Sequence, residues 1–409
     1  ARLSVGHSGG TAGAGSRNYK VTLPTKWIER LGLGVNNREM ELALDGDRII
    51  ITPRLTAEEF AENAIKHGHS VYKFSFFDGD RLCSVIYADF TEKQVRADNY
   101  TENIVKTAFG RNSTPSWDSP HNQRQNGRGR SAADNGEIIM SVKLVSDEKI
   151  AETSSKGNQE KWLDNGVWYK LDQFGYESLA ETLVSQLLCQ SNIEQDTPFK
   201  FVRYDISRVI AHGRERVCCA SADFLKEGQS IITLAHLLKR EVGESMKQQL
   251  GKLPSDKARI RYIAEQTAEI TGLHDFPQYL TLLFEIDSLI LNADRHLNNI
   301  AVLEQGGAYD YCPIFDNGAG LLSNIQVYNV GIEPGGLIPS VMSRPFNISF
   351  NRQMGTVRRL YGKQLNLPKF AKADIEQPLA PLLDYYPKPL RGFISDRVMC
   401  CILTRQKIL

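Results

Sequence analysis

Asn292-Ala293-Asp294-Arg295-His296-Leu297-Asn298-Asn299 is the stretch on which the fold turns. An acid, Asp294, and an amide, Asn299, sit five residues apart. The stretch follows an apolar helical pattern at 277–291 and precedes a short strand pattern, Ile300 to Leu303. A second piece, Ile314-Phe315-Asp316-Asn317-Gly318, closes the next strand pattern, Tyr309 to Ile314. Each piece alone has an ordinary explanation. Asp294-Arg295 is most simply a surface ion pair, and His296 a structural histidine. Asp316-Asn317-Gly318 alone is a good turn. Order and spacing along the chain change that weighting.

Upstream, Lys170 ends a strand pattern, Val167-Trp168-Tyr169-Lys170-Leu171, that follows Asn165-Gly166. Asn-Gly is the strongest short hairpin signal, so 161–170 reads as two strands folded on that turn. Glu177 and Glu181 come next, one turn apart on one helix face, and either can hold the lysine. Leu179, Leu183 and Leu187, with Ala180, Val184 and Leu188 beside them, give that helix its apolar stripe. Before the hairpin lies a small polar loop, Thr153-Ser154-Ser155-Lys156-Gly157-Asn158-Gln159-Glu160-Lys161. Its backbone amides and Lys161 can cover phosphates, although its single glycine is not a Gly-x-Gly-x-x-Gly pattern. Loop, lysine, glutamate, Asp-x4-Asn, strand and Asp-x-Gly in this order have the shape of a kinase catalytic loop followed by a metal-binding segment. Phosphoryl transfer needs an acid to orient the attacking hydroxyl, here Asp294. It needs oxygen ligands for Mg²⁺ on the phosphates of ATP, here Asn299 and Asp316.

The rest of the chain sets bounds. Its 409 residues, at ~100–200 per domain, suggest two to four domains. Apolar residues make up 41% and charged residues 24%, which excludes global disorder. A net charge of +1 excludes a uniformly basic nucleic-acid coat but not a local basic patch. No apolar run reaches the ~18 residues of a membrane span, and no signal-peptide core opens the chain. The seven cysteines include two adjacent pairs, Cys218-Cys219 and Cys400-Cys401, and no zinc-ligand spacing, so they read as reduced thiols in a cytoplasmic protein. Five pieces follow. Residues 1–54 are strand-rich and end in a hairpin at Asp45-Gly46-Asp47. Residues 55–110 form a small α/β connecting domain, opened by a Thr56…Glu59 capping box. Residues 111–135 read as a solvated linker, too poor in large apolar side chains to order itself by burial. Residues 136–222 are a strand-rich lobe, with further strands read at Phe199 to Ile210 and Arg216 to Cys219, and 223–409 a mainly helical one, with strong helical patterns at 230–240 and 256–271. The expected class is α+β, with a cleft between the two lobes.

On these motifs the region from about 137 to 409 resembles the HipA-like serine/threonine kinases of bacterial toxin–antitoxin systems. The loop, Tyr169-Lys170-Leu171, Asp294-Arg295-His296-Leu297-Asn298-Asn299 and Phe315-Asp316-Asn317-Gly318 carry the resemblance. Cys218-Cys219-Ala220-Ser221-Ala222-Asp223-Phe224-Leu225, at the expected hinge, and Arg344-Pro345-Phe346 also look familial. The resemblance implies a two-lobed kinase-like fold with Asp294 catalytic and with Asn299 and Asp316 on Mg²⁺. It implies ATP contacts at Ser154, Gly157, Gln159, Lys161, Lys170, Glu181, Cys219 and Ser221, with Glu181 favoured over Glu177. It also implies autophosphorylation at Ser154, which would switch the enzyme off.

Residues 17–53 look like an AbrB/MazE-type swapped-hairpin domain. The marks are Val21-Thr22-Leu23-Pro24 leading into a short helix, Leu31-Gly32-Leu33 closing it, and the Asp-Gly hairpin. Residues 1–30 hold five basic residues and one acid, whereas 31–54 hold three basic and four acidic. The basic front, with Arg17, Lys20 and Lys26, is where such a domain meets operator DNA phosphates. The resemblance implies a homodimer through this domain. The expected partners are therefore ATP, an unidentified protein substrate, a second copy and operator DNA, with no membrane. Two other readings share the same residues. One is a transcription regulator whose kinase fold only senses nucleotide, and the other is a small-molecule or lipid kinase. An intact set of Lys170, Asp294, Asn299 and Asp316 argues against a mere scaffold.

Overall fold

A computed structural model describes residues 4–7, 17–34, 40–45, 47–78, 81–102, 107–109, 114, 117, 139–145, 159–242 and 246–409. The chain is a mixed α+β protein that divides into two compact units, Ala1–Met140 and Ser141–Leu409. Among the described residues no helix is long and apolar enough to cross a membrane. All seven cysteines are free thiols.

In the first unit, β1 (Ser4–His7) pairs with β2 (Arg17–Lys20), followed by helix α1 (Thr25–Arg30). Strands β3 (Met40–Asp45) and β4 (Arg48–Pro53) form the expected hairpin, with Asp45 opposite Arg48. Helix α2 (Ala57–Lys66) starts at the Thr56–Glu59 capping box read from the sequence. It buries Ala57, Phe60, Ala61 and Ala64, the spacing of one helix face. Beyond it, β5 (Val71–Asp78), β6 (Arg81–Asp89) and β7 (Gln94–Asn99) make an antiparallel meander. Phe74, Phe76, Cys83 and Ile86 form its core.

Strand β8 (Ile139–Leu144) spans the boundary between the units, and its second-unit part runs parallel to β11 (Asp205–Ala211), with Lys143 opposite Val209 and Leu144 opposite Ile210. The strand order continues β11, β12 (Arg214–Ala222), β10 (Val167–Leu171), β9 (Lys161–Asp164), all antiparallel. The β9–β10 turn is Asn165-Gly166, both at positive φ (50° and 76°), the backbone that makes this dipeptide a hairpin turn. Helix α3 (Glu177–Leu188) follows β10 and is buried on nearly every side. The short α4 (Ile193–Asp196) leads on towards β11.

The remainder is mainly helical: α5 (Leu234–Val242), α6 (Met246–Lys252), α7 (Asp256–Thr271) and α8 (Phe276–Ile290). After a three-stranded sheet described below come α9 (Pro334–Leu337), α10 (Phe350–Tyr361), α11 (Lys372–Leu383) and α12 (Lys388–Arg405). Helix α8 is the central element. All but two of its residues are buried, in one core with α3, α10 and α12.

Two element readings need correction. The 230–240 pattern is not all helix. Residues Ser230–Thr233 form β13, and the helix starts at Leu234. Strand β13 pairs with β14 (Ala301–Gln305), which pairs in turn with β15 (Ala308–Tyr311). Ile231 and Ile232 thereby stand opposite Leu303 and Val302, and this cross-strand pairing of branched aliphatic residues overrides the local helical period. Residues Phe199–Tyr204 do not join the strand that the apolar run suggested. Phe199 and Phe201 are drawn into the helical core, and Phe201 forms an isolated parallel bridge to Ile314.

Candidate active site

Lys170 lies on β10, with Lys161 opposite it on β9 and Cys219 opposite it on β12. Its Nζ donates to Glu181 Oε1 at 3.0 Å and to Asp316 Oδ1 at 2.9 Å. The same Nζ lies 5.3 Å from the centroid of the Tyr204 ring. Glu181 reaches this lysine because it stands one turn into α3 with its side chain facing β10. Its second oxygen accepts the backbone N–H of Asn317 at 2.8 Å. One carboxylate on α3 therefore ties Lys170 to the Asp316-Asn317-Gly318 turn.

Glu177 has another task. Its two oxygens accept the N–H groups of Phe174 (2.7 Å) and Gly175 (3.1 Å), closing the turn that leads into α3. Of the two glutamates on this helix face, Glu181 meets the lysine.

The second half of the site hangs from the C-terminus of α8. Leu291, the C-cap, takes a left-handed backbone (φ 58°), which turns the chain sharply into Asn292. Asn292 Oδ1 accepts the N–H of Asp294 (3.2 Å), while its amide donates to Asp287 Oδ1 (3.1 Å) and to the backbone oxygen of Asp316 (3.1 Å). Asn299 donates its amide to the backbone oxygen of Asp294 at 2.9 Å and approaches Asp294 Oδ2 at 3.5 Å. Arg295 is not a surface partner of Asp294. It is buried and paired with Asp287 of α8 at 3.0 Å. The pairing expected within the loop gives way because Asp287 is a buried carboxylate that only a buried cation can satisfy.

Electrostatics sort the three acids. Burial pushes the Asp316 carboxyl up, but the Lys170 ammonium, with Arg295 and Lys161, outweighs it and holds the group at about 2. Burial also raises Glu181, with Lys170 pulling against it. Desolvation raises the Asp294 carboxyl, with His296 opposing and Asp316 adding to the rise. Its side chain is nevertheless 62% exposed and open to an incoming group. On the strands, burial and the neighbouring Lys170 both lower Lys161. Like charges directly opposite across a sheet are unfavourable, so this pair of cations suits a site that receives anions.

The other sequence-predicted residues are placed as follows. Gln159 donates its amide to the backbone oxygen of Leu171 at 2.8 Å, fastening the chain to β10. Cys219 is buried, and burial raises its thiol, so it is an unreactive wall of the site behind Lys170. Ser221 is half-buried on β12, opposite Trp168. Ser154 and Gly157 lie outside the described residues. Lys20 and Lys26 are exposed in the first unit, and the side chain of Arg17 lies outside the described residues. Tyr204, Asn292 and Asp287 were missed by sequence reading. Only Asp287, one of two acids with Glu285 inside a largely apolar helix, gave any signal.

The donor set fits a hard cation. Among the described residues no three His, Cys, Asp or Glu side chains gather, so a multi-carboxylate or thiolate cage is absent. Asn299 spends its NH₂ on Asp294, leaving its carbonyl oxygen as a donor. Asp316 is held ionised and uses only Oδ1 on Lys170. Two protein oxygens suit Mg²⁺, which keeps several waters and takes the rest from phosphates.

No family model matches the sequence, and no curated protein matches it. Twelve chains of solved structures do match. The proinflammatory kinase CtkA of Helicobacter pylori is 16% identical, covering 63% of this chain and 93% of its own, with a TM-score of 0.41. HipA of Shewanella oneidensis MR-1, solved with HipB and operator DNA, is 11% identical, covering 81% of this chain and 96% of its own, with a TM-score of 0.33.

Proposed function

We propose that the chain is an ATP- and Mg²⁺-dependent serine/threonine protein kinase of the HipA-like type. The observation that carries this reading is the Lys170 ammonium held between Glu181 and Asp316, at 3.0 and 2.9 Å. Such a lysine is fixed in place to meet the phosphates of a nucleotide, with Lys161 opposite it. Asn299 and Asp316 would hold Mg²⁺, which when bound would supply positive charge to offset that of the transferring phosphoryl group. Asp294, exposed on its loop, accepts the proton of the acceptor hydroxyl and orients that oxygen for attack. The resemblance adds autophosphorylation at Ser154, which would place a charge of about −1.5 to −2 in the phosphate loop and switch the enzyme off.

In the same proposal, residues 1–54 form a dimerising, antitoxin-like module that meets operator DNA through Arg17, Lys20 and Lys26. The exposure of Lys20 and Lys26 supports that part.

The test is incubation of the purified protein with labelled ATP and Mg²⁺, with phosphosite mapping, beside Asp294→Ala. A positioned base contributes about 10²–10⁴-fold to such a step, so the variant should lose at least that much. A parent protein that incorporates no label would overturn the reading. Label on a lipid or small metabolite would reassign the acceptor.

A further inference from the structure

Arg295 makes more contacts than its place in the sequence suggests. It is 1% exposed, and all three of its nitrogens are engaged. Nε meets both oxygens of Asp287 at 3.1 Å. Nη2 reaches Asp287 Oδ1 at 3.0 Å and Asn317 Oδ1 at 2.7 Å. Nη1 donates to the backbone oxygens of Asn299 at 3.1 Å and Phe315 at 2.6 Å. One rigid guanidinium plane thus grips α8, the residue that offers one candidate metal oxygen, and both neighbours of the residue that offers the other. Asp287 reaches the same turn a second way, through Asn292 to the backbone oxygen of Asp316.

We propose that Arg295, anchored by Asp287, is the positioning residue that fixes the separation of Asn299 and Asp316 and so favours Mg²⁺ over a larger cation. The inference rests on the kinase reading above. Mg²⁺ demands near-octahedral oxygens at about 2.0–2.1 Å, whereas Ca²⁺ accepts longer, irregular shells at about 2.3–2.6 Å. Two ligands on separate loops satisfy the stricter ion only if those loops cannot drift apart. The planar fork of five donors provides this, and a lysine cannot, because its single ammonium is a point charge. The nitrogens of Arg295 are taken up by Asp287, Asn317 and two backbone oxygens, so it acts through the two loops.

The test uses the full chain with a non-hydrolysable ATP analogue and calorimetry, with Mg²⁺ or Ca²⁺ as the added cation and melting curves alongside. Arg295→Lys keeps the charge beside Asp287 but loses the fork. Asn317→Ala removes one prong, with less disturbance of the buried pair. Loss of a group that orients a metal ligand typically costs about 10–100-fold in metal affinity, so Arg295→Lys should lose that much for Mg²⁺. Asn317→Ala should lose less in the same direction. In both, Ca²⁺-dependent binding should change little, so the Mg²⁺/Ca²⁺ ratio falls. If Arg295→Lys does not fold, the ratio in Asn317→Ala decides. A purely structural role would lower the melting temperature and leave the ratio of the folded protein at the parental value, which overturns the inference while the kinase reading stands. A parent without cation-dependent nucleotide binding would sink both.

Discussion

Asp316 holds Lys170 on one oxygen, the proposed site asks its other oxygen to hold a cation, and both demands need it ionised. Its carboxyl sits at about 2, against 3.8 for an ordinary aspartate, because Lys170, Arg295 and Lys161 outweigh its burial. The folded protein therefore binds this proton less tightly than the unfolded chain. The stability from the Lys170 pair is complete above pH ~4 and is lost as pH falls towards ~2. Asp316→Asn has no such ion pair to lose, so the gap in melting temperature between parent and variant should close across that window. At neutral pH the same variant should lose at least about tenfold in Mg²⁺-dependent nucleotide affinity. Calorimetry showing parental Mg·ATP affinity would remove Asp316 from the metal site. At this scale the order of residues anticipated which side chains meet, Lys170 with Asp316 and Asn299 with Asp294. It was silent where a role depends on a partner far along the chain. The choice between Glu177 and Glu181 depends on which points at β10 and which folds back on Phe174 and Gly175, a matter of side-chain direction within one helix face. Arg295 looked like a surface partner of Asp294 because the buried carboxylate of Asp287 is one helical stretch away.

Helix α3 is the element on which the site is hung, and two neighbours set its position. Gly318 is one. A Cβ there would lie 3.3 Å from Glu181 Cγ and 3.4 Å from both Glu177 Cβ and its backbone oxygen. Gly318→Ala must push α3 away from the turn, and Glu181 with it, away from Lys170. Misplacement by ~1 Å can cost ~10²-fold, and a few tenths of an ångström should cost roughly tenfold in phosphotransfer. An alanine variant with the parental rate would show that the helix and turn adjust independently.

Asp172, just before α3, is the other neighbour. It accepts the N–H of Ser178 in the first turn of α3 and the hydroxyl of Tyr386, each at 2.6 Å. Desolvation, with Glu177 adding, raises its carboxyl to about 7 despite those bonds. Here the folded state holds the proton more tightly than the unfolded chain, so stability falls as pH rises from ~4 to ~7 and is level above. Asp172→Asn should remove that decline and melt higher than the parent at pH 8, by ~2–4 °C for each kcal/mol relieved, with no difference near pH 4. Melting curves at the two pH values check it. Among elements, the Asn165-Gly166 hairpin and the leucine stripe of α3 were legible because both signals are local. Strand β13 was not, because four residues reading Ser-Ile-Ile-Thr become a strand only when Val302 and Leu303 arrive opposite them.

The balance of the whole molecule is uneven in burial. The second unit carries one continuous core through α3, α8, α10 and α12. In the first unit, Leu33 is the only buried residue among the side chains described between 20 and 54. Trp27 is 61% exposed, Ile49 71% and Ile50 43%. Ile49 and Ile50 are neighbours on β4, so they point to opposite faces of that strand, and each face carries an exposed isoleucine. A lone two-stranded hairpin is marginal in water, and one uncovered on both sides is more so. A flat docking partner covers one face only, whereas a second hairpin wound around the first covers both. This favours the proposed intertwined homodimer over simple side-by-side contact. Ile50→Asp would bury a carboxylate in that shared core, at a cost of several kcal/mol per ion. The parent should sediment as a dimer and the variant as a monomer, with salt-dependent affinity for operator DNA lost alongside, because two copies present twice the basic front to phosphates. The second unit's nucleotide binding should be unchanged, since Ile50 belongs to the other unit. A parent that sediments as a monomer at micromolar concentration would overturn the dimer, and an Ile50→Asp protein that remains dimeric would move the interface away from the hairpin.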